Sequence, residues 1–179
     1  MTSWTAPKTY TAGSALTASE LNTHTRDNLL HLYERVVGYS PTMASDSPAR
    51  NSATFADLTG LSFPVANGKN YTWIFIATWE HSSTSGGPVF GFTHAGGNCV
   101  GLFEYTGESS TSSDTRDWEQ AQDTGSGVAT VDTSGVRRIC VAHGRHQATA
   151  SGTFQMRYAR NTTGSVIVHA GSSLFVTSD

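Results

Sequence analysis

The chain has 179 residues, of which only 14% are charged, and its formal net charge is −3. That length suits one domain of ordinary size with a short appendage. The absence of a basic stripe that could neutralise phosphates argues against a nucleic-acid partner. The 18 glycines and the 10% of aromatic residues favour short β-strands joined by turns, and they disfavour a disordered chain.

Neither a secretory signal nor a membrane span is apparent. No apolar run follows the first residues, and no stretch is long and apolar enough to cross a bilayer. We therefore expect a chain that is made in the cytoplasm, is not exported by a standard route and has no membrane partner.

Residues 1–15 are predicted to form an extended arm. Trp4, Pro7 and Tyr10 are spaced by three residues, which is typical of an irregular segment that docks aromatic side chains onto a surface. The sequence allows two interpretations of the surface that the arm contacts. The arm covers the base of the chain's own β-domain, or it anchors the chain in a neighbouring protein.

Residues 16–37 are the one segment with a clear helical pattern. Thr17 and Glu20 have the spacing of a capping box, in which the hydroxyl accepts an amide of the first turn and the carboxylate reaches back. A further set has the alternating steps of four and three that are typical of a coiled-coil seam: Ala18, Asn22, Thr25, Leu29, Leu32 and Val36.

Two roles are open for this helix. Its apolar residues occupy more than one face, so a trimer would bury more of them than a two-stranded coil. Alternatively, the helix folds back onto its own sheet. We favour assembly, because a β-sandwich of this size does not need a helix for its core. The predicted oligomerisation residues are Leu21, Thr25, Asn28, Leu29, Leu32 and Val36.

A linker is predicted to follow the helix. Gly38 has the position of a C-terminal cap, and residues 39–51 contain Pro41 and Pro48 among small polar residues. The predicted organisation is an attachment arm with a trimerisation helix at 1–38, a linker at 39–51 and a β-domain at 52–179.

The pattern from residue 52 onward is one of strands and turns. Residues 71–79 alternate, and Ile74 and Ile76 add apolar side chains on the second face, which predicts a central strand buried on both sides. Asn67-Gly68 predicts a tight turn. Further strands are predicted at 89–93, 98–105, 128–131, 136–143, 153–160, 165–170 and 173–176, and a long polar loop at 106–127. This pattern predicts a mainly β fold, a jelly-roll-like β-sandwich preceded by the arm and single helix.

No pattern of residues predicts catalysis. There is no nucleophile elbow and no phosphate-cradling glycine loop, so we predict neither an enzyme nor a cofactor. His143 and His146 form an H-x-x-H pair without an obvious third ligand nearby, and we predict no metal site. A polar loop is a poor platform for holding two carboxylates at the fixed separation that glycoside hydrolysis requires. The candidate carboxylates lie in or beside such a loop: Glu104, Glu108, Asp114, Asp117 and Glu119.

Three further residues have alternatives that the sequence leaves open. Cys99 and Cys140 lie in apolar runs, and we interpret them as buried small hydrophobic residues, with a single disulfide as the alternative. Trp118, the lone aromatic residue of the polar loop, can stack on a sugar ring of a host-surface glycan, which the loop 81–87 would help to hold. The alternative is that the loop folds down or meets a neighbouring subunit and buries the indole.

The N-terminal residues carry a longer pattern, W-T-x-P-x-x-Y-x-A-G-x-x-L-T-A-x-x-L-N-x-H-x-R-D-N-L-L-x-L. This segment resembles one that recurs in accessory virion proteins of tailed bacteriophages. Two later stretches, TGLSFPVANGKNYTW and GTFQMRYARN…GSVIVHAGSSLFV, resemble the β-domain that often follows it.

The resemblance implies a homotrimeric structural protein on the virion surface, such as a head decoration protein, a head fibre or a tail-associated fibre protein. Its partners would be its own copies and the major capsid or tail proteins, and no catalytic residues are implied. A receptor- or glycan-binding module on the tail is the alternative. Asn22 or Asn28 near a trimer axis would fix the register. The candidate attachment residues are Trp4, Pro7, Tyr10, Arg26 and Asp27.

Overall fold

The computed structural model describes residues 5–6, 8–9, 11–30, 40–105, 115–119, 126–127 and 134–178, and for 115–119 and 126–127 it describes the backbone. Several sequence predictions lie outside the described residues. These are Trp4, Pro7 and Tyr10 of the arm, Leu32 and Val36 of the seam, and the strand at 128–131.

The N-terminal helix begins where the sequence predicts. Helix α1 spans Ala18–Leu21 and continues into a π-helical segment, Asn22–Asp27. The Thr17 hydroxyl accepts a hydrogen bond from the Glu20 amide at 3.2 Å, and the Glu20 carboxylate accepts one from the Thr17 amide at 3.0 Å. The predicted capping box is therefore confirmed. No helix in the described ranges is long and apolar enough to cross a membrane.

The π-helical segment changes the geometry of the predicted seam. A π-helix has more residues per turn than an α-helix, because its hydrogen bonds span one residue more. Steps of three and four residues therefore do not keep Ala18 and Leu29 in one line across Asn22–Asp27. The heptad pattern assumed an uninterrupted α-helix, and this assumption is wrong for these six residues.

Ten strands lie in the described part of the chain: β1 (Ala56–Val65), β2 (Asn70–His81), β3 (Pro88–Thr93), β4 (Gly97–Tyr105), β5 (Thr115–Glu119), β6 (Ser126–Gly127), β7 (Arg138–Ala148), β8 (Gly152–Arg160), β9 (Val166–Val168) and β10 (Ser173–Ser178). Most of them match predicted strands. Strands β5 and β6 lie in the segment predicted to be a polar loop, so that prediction is wrong there. Strand β7 continues beyond its predicted end at residue 143.

The strands form two antiparallel sheets around one core. The four-stranded sheet has the order β1-β8-β3-β6. The six-stranded sheet has the order β10-β2-β7-β4-β5, with β9 paired to the end of β2. The fold is a β-sandwich behind a single short helix, as predicted. The strand orders are compatible with a jelly roll, a finer description that stays a prediction.

The core lies between the sheets, because alternate residues of each strand point inward. The inward residues of β2 include Trp73 and Phe75, which are fully buried. Trp73 packs edge-on against Phe92 of the four-stranded sheet, with 5.8 Å between ring centroids, and Phe75 packs in the same way on Phe90 at 5.3 Å. These contacts join the two sheets through large aromatic side chains.

The second face of β2 is exposed, contrary to the prediction. Ile74 and Ile76 keep 43% and 39% of their accessible surface. In the described part of the chain, no third layer covers this side of the six-stranded sheet. Apolar residues on both faces of a strand therefore do not imply that both faces are buried within one subunit.

The segment predicted to be a linker packs on the sandwich. Met43 is only 3% exposed and belongs to the core cluster. The Ser47 amide donates to the Val168 carbonyl at 2.8 Å, and the Val168 amide donates to the Ser47 hydroxyl at 2.9 Å. The domain boundary stays a prediction, but residues 40–51 are hydrogen-bonded along the edge that β9 and β10 form.

Asn67-Gly68 forms the predicted turn, and Gly68 has a φ of +79°. A left-handed conformation of this kind is accessible to glycine at little cost. The turn joins β1 to β2, which lie in different sheets. It is therefore a connection between the layers rather than a hairpin between paired strands.

Candidate functional site

The described N-terminal helix presents leucines to solvent. Leu21, Leu29 and Leu30 are 46%, 61% and 43% exposed, and Thr25 is exposed as well. No residue of α1 or of the π-helical segment is buried. Over these residues, the helix therefore does not bury its apolar side chains on the chain's own sandwich.

Asn28 joins the arm to the helix. Its Oδ1 accepts a hydrogen bond from the Thr5 amide at 2.9 Å, and its Nδ2 donates to the Thr5 carbonyl at 2.9 Å. Lys8 and Glu20 form a second link between the two segments. Asn28 is 5% exposed, so the structure gives it a role within the chain that differs from the predicted one at a trimer axis.

Arg26 and Asp27 pair with each other on the surface of the helix. The Arg26 guanidinium lies 2.8 Å from the Asp27 carboxylate, and the Arg26 side chain is 68% exposed. The pair is accessible to a partner protein, and the predicted attachment role of both residues stays a prediction.

A second exposed apolar surface lies on the outer side of the six-stranded sheet. We define it as the apolar face, formed by Ile74, Ile76, Ile139, Val141 and Phe175. Phe175 pairs with Ile74 across β10 and β2, and Ile76 pairs with Val141 across β2 and β7. Ile139 and Phe175 are 46% and 42% exposed. Contiguous apolar surfaces on otherwise closed domains commonly mark protein interfaces.

A groove of about 420 Å³ lies across β2, β7 and β4. It is lined by Asn70, Tyr71, Thr72, Asn98, Val100, Arg145, His146 and Gln147. Its exposed polar residues point to the outer side of the sheet, the side that carries the apolar face. Arg145 supplies the one guanidinium, and the described lining contains no carboxylate.

Sequence reasoning missed this groove because it ended the strand at residue 143. Arg145 and Gln147 continue the alternation of β7, in which odd-numbered positions are exposed or half-buried and even-numbered positions are buried. Extending that alternation past His143 would have placed both side chains on the outer face.

The H-x-x-H pair does not form a shared site. His143 is exposed on the outer face, whereas His146 is 1% exposed and points into the core. Residues three apart on a strand lie on opposite faces, so the two imidazoles cannot bind one ion. Among the described residues, no three His, Cys, Asp or Glu side chains are grouped so that they could hold a metal ion.

His146 instead meets His94 inside the sandwich, with 4.6 Å between ring centroids. Burial, and then the charge of His94, lowers the pKa of His146 to about 4. Burial also lowers the pKa of His94. Both imidazoles are therefore neutral at physiological pH, and they serve as aromatic packing residues beside Tyr71 and Phe154.

Cys99 and Cys140 are both free and buried, which confirms the predicted role as small hydrophobic residues. Burial raises the pKa of Cys99 to about 12, and burial also raises the pKa of Cys140 well above its ordinary value. A thiol that stays protonated is a poor nucleophile.

The candidate acid groups are not assembled in a described cleft. Glu104 lies on β4, and Asp117 and Glu119 lie on the neighbouring β5. Glu108 and Asp114 lie outside the described residues. The backbone of Trp118 also belongs to β5, where it pairs with Leu102.

The polar groups of the loop 81–87 are used within the chain. Ser85 accepts hydrogen bonds from the hydroxyls of Thr162 and Thr163. The Ser82 hydroxyl accepts one from the Ser165 amide at 2.8 Å. This loop is therefore less available to a glycan than the sequence suggested.

No family model matches this chain, and no curated protein matches it. Among solved structures, it is similar to the Clostridium thermocellum endo-1,4-β-D-xylanase 10B CBM22-1-GH10 modules complexed with xylohexaose, with 8% identity, a TM-score of 0.32 and coverage of 76% of this chain and 28% of that one. It is also similar to infectious bursal disease virus structures of the Gt and Gx strains, with 13% and 14% identity and TM-scores of 0.19 and 0.15. Each of these two matches covers 79% of this chain and 42% of the viral one. The chain thus spans less than half the length of all three, and these low TM-scores carry no functional assignment.

Proposed function

We propose that this chain is a non-enzymatic structural protein of a tailed-bacteriophage virion, which assembles as a homotrimer on the particle surface. The observation that carries the proposal is the exposure of Leu21, Leu29 and Leu30 on the N-terminal helix. Short helices of this kind are marginal alone, and their stability comes from packing an apolar side against a partner. A second copy of the same helix supplies such a partner.

The apolar face supports the same proposal. Ile74, Ile76 and Phe175 expose apolar surface that a single sandwich leaves in contact with water. Association of copies through this face adds buried area to the short helical bundle. A contribution from the β-domains is needed because the first part of the helix is polar, with Asn22 and Thr25 both exposed.

The N-terminal arm and the Arg26–Asp27 pair are the proposed means of attachment to the major capsid or tail proteins. The arm is joined to the helix by Asn28 and Lys8, so both segments can move to a binding site as one unit. Attachment to a head decoration site or to the tail would use the same surface.

The mass in solution tests the assembly. Light scattering of the full chain is expected to give three times the 19.0 kDa mass of one copy. A monomer at high protein concentration would contradict the proposal. Imaging of intact particles produced in the presence of a labelled chain then tests the virion role. Absence of the label from both head and tail would exclude that role.

A further inference from the structure

The groove across β2, β7 and β4 has a chemical character that assembly does not require. Its volume of about 420 Å³ lies within the range of small-molecule sites. We propose that this groove binds a sugar that carries a carboxylate, and that Arg145 recognises the carboxylate.

Two cross-strand rows build the groove. The first row is Thr72, Arg145 and Val100, and the second is Asn70, Gln147 and Asn98. Each row crosses three adjacent strands of the regular sheet. Side chains on such strands are positioned more rigidly than side chains on loops, which favours specific recognition.

The amide side chains match the hydroxyl groups of a sugar. A carboxamide donates hydrogen bonds from its nitrogen and accepts them at its oxygen, and a hydroxyl group also does both. The side chains of Asn98 and Gln147 are exposed and line the groove, so both can reach a ligand. The Val100 side chain, half-buried at the end of the first row, offers an apolar contact to the carbon face of a sugar ring.

The charge of the groove selects an acidic sugar. Arg145 lies opposite Thr72 and Val100, and no described acidic side chain pairs with it. A guanidinium holds a carboxylate through two parallel hydrogen bonds. A single cation suits one carboxylate, whereas a nucleic acid or a strongly acidic peptide would need several.

The groove is separate from the apolar face. Thr72 and Arg145 form the row next to Ile74 and His143, and the groove residues are not part of the apolar face. Burial of the apolar face in a trimer would leave the groove at its rim. On the opposite side, Val100 lies two positions from Leu102, which pairs with Trp118.

Calorimetric titration of the full chain with galacturonic acid, a sugar with one carboxylate, tests the proposal. We expect binding of the acid, with at least about tenfold weaker binding of its methyl ester, because esterification removes the charge that Arg145 recognises. Arg145→Gln should weaken binding of the acid by about tenfold or more, and Gln147→Ala by several-fold. Arg137→Gln is the matched control, since it removes the same charge from an exposed residue outside the groove.

Three outcomes would overturn the proposal. One is the absence of binding to galacturonic acid at millimolar concentration. Another is unchanged binding by Arg145→Gln. The third is full displacement of the sugar by equimolar inorganic phosphate or by a tetraglutamate peptide, which would indicate a general anion site. Light scattering of the same variants keeps this result distinct from the assembly proposal, because loss of sugar binding is expected without a change in mass.

Discussion

The indole of Trp73 lies directly over the backbone of Gly144. A Cβ atom at Gly144 would come within 2.3 Å of Trp73 Cζ2, and one at Gly101 would come within 2.6 Å of Cη2. The three residues form one cross-strand row, in which Trp73 pairs with Gly144 and Gly144 pairs with Gly101. The two glycines therefore supply the space that lets the Trp73 indole lie against its own sheet.

Gly144→Ala is expected to destabilise the fold by roughly 3 kcal/mol, because overpacking of a core against rigid groups costs this much. The Val100 carbonyl lies 2.2 Å from the same Cβ position, so the indole cannot relieve the clash by moving alone. Urea unfolding of the variant measures the loss.

Gly171→Ala is the matched control for this substitution. Gly171 has a φ of +87°, and an added Cβ there meets nothing within 4 Å. The control should lose only about 1 kcal/mol from backbone strain. An equal loss in both variants would show that the indole moves aside and that the close approach has no energetic consequence.

The fold was largely predictable from periodicity, and the exceptions have physical causes. Alternation predicted β2 because its inward positions are large and apolar. Strand β5 was missed because its residues are mostly polar. It forms a strand by pairing with β4, and a local sequence pattern does not encode that pairing. The pairing of Trp73 with two glycines depends on strand register, and register joins residues that are distant in sequence.

Acidification is expected to destabilise the sandwich through His146. The pKa of His146 is about 4 in the folded chain, against an ordinary value of about 6.5 in the unfolded chain. Between these two values the unfolded chain binds the proton more tightly. The stabilisation is therefore fully present above about pH 6.5 and is lost as the pH falls toward 4. We expect a loss of about 2 kcal/mol between about pH 7 and pH 4.5, measured by urea unfolding.

His146→Phe should reduce this pH dependence, because phenylalanine keeps the aromatic contacts with Tyr71 and Phe154 and does not titrate. His94 retains a lowered pKa, so some dependence remains. His143→Gln, which removes an imidazole from the exposed face of the same strand, is the matched control. If the His146→Phe slope equals that of wild type, other groups control the acid sensitivity.

Asp46 holds the segment at 40–51 on the sandwich. Its carboxylate accepts a hydrogen bond from the Ala170 amide at 2.7 Å and lies 3.1 Å from Nδ1 of His169. The Ala170 amide, and then His169, lowers the pKa of Asp46. Asp46→Ala should therefore destabilise the chain at neutral pH and expose residues 40–51 to protease. The stabilisation from Asp46 should be lost as the pH falls through its folded pKa.

Asp57→Ala tests whether any acidic surface residue has this effect. Asp57 pairs with Arg157 at 2.9 Å, and its side chain is 61% exposed. Exposed ion pairs contribute little to stability. Equal protease sensitivity of the two variants would contradict a specific anchoring role for Asp46.

The candidate site was only partly predictable from sequence. The capping box follows from local spacing, and the structure confirms it. The exposed leucines were named from the heptad pattern, and their role in assembly stays a prediction. The binding of Asn28 to Thr5 was not predictable, because it joins the helix to an irregular arm. The groove depends on three strands in register, so its residues carry no signature in any one segment.

We expect the apolar face to contribute to the proposed trimer and not to the stability of one subunit. Ile74→Thr with Phe175→Thr places threonine, a β-branched residue of high strand propensity, at both positions and removes apolar area from this cross-strand pair. We expect a trimer that dissociates at higher protein concentration, measured by sedimentation across a dilution series. Thr177→Ser, on the same face of β10, is the control. Unchanged dissociation of the double variant would show that this face is not an interface.

Leu29→Asp tests the helix as a separate assembly element. Leu29 is 61% exposed, so an aspartate there leaves the monomer fold intact and places a charge inside any helical bundle. Ser19→Asp adds the same charge to an exposed helical residue outside the predicted seam and is the matched control. If the helix holds the trimer, Leu29→Asp dissociates it and Ser19→Asp does not. If Leu29→Asp remains trimeric while the Ile74 and Phe175 double variant dissociates, the β-domains hold the trimer, and the helix then serves mainly to carry the arm to its attachment site.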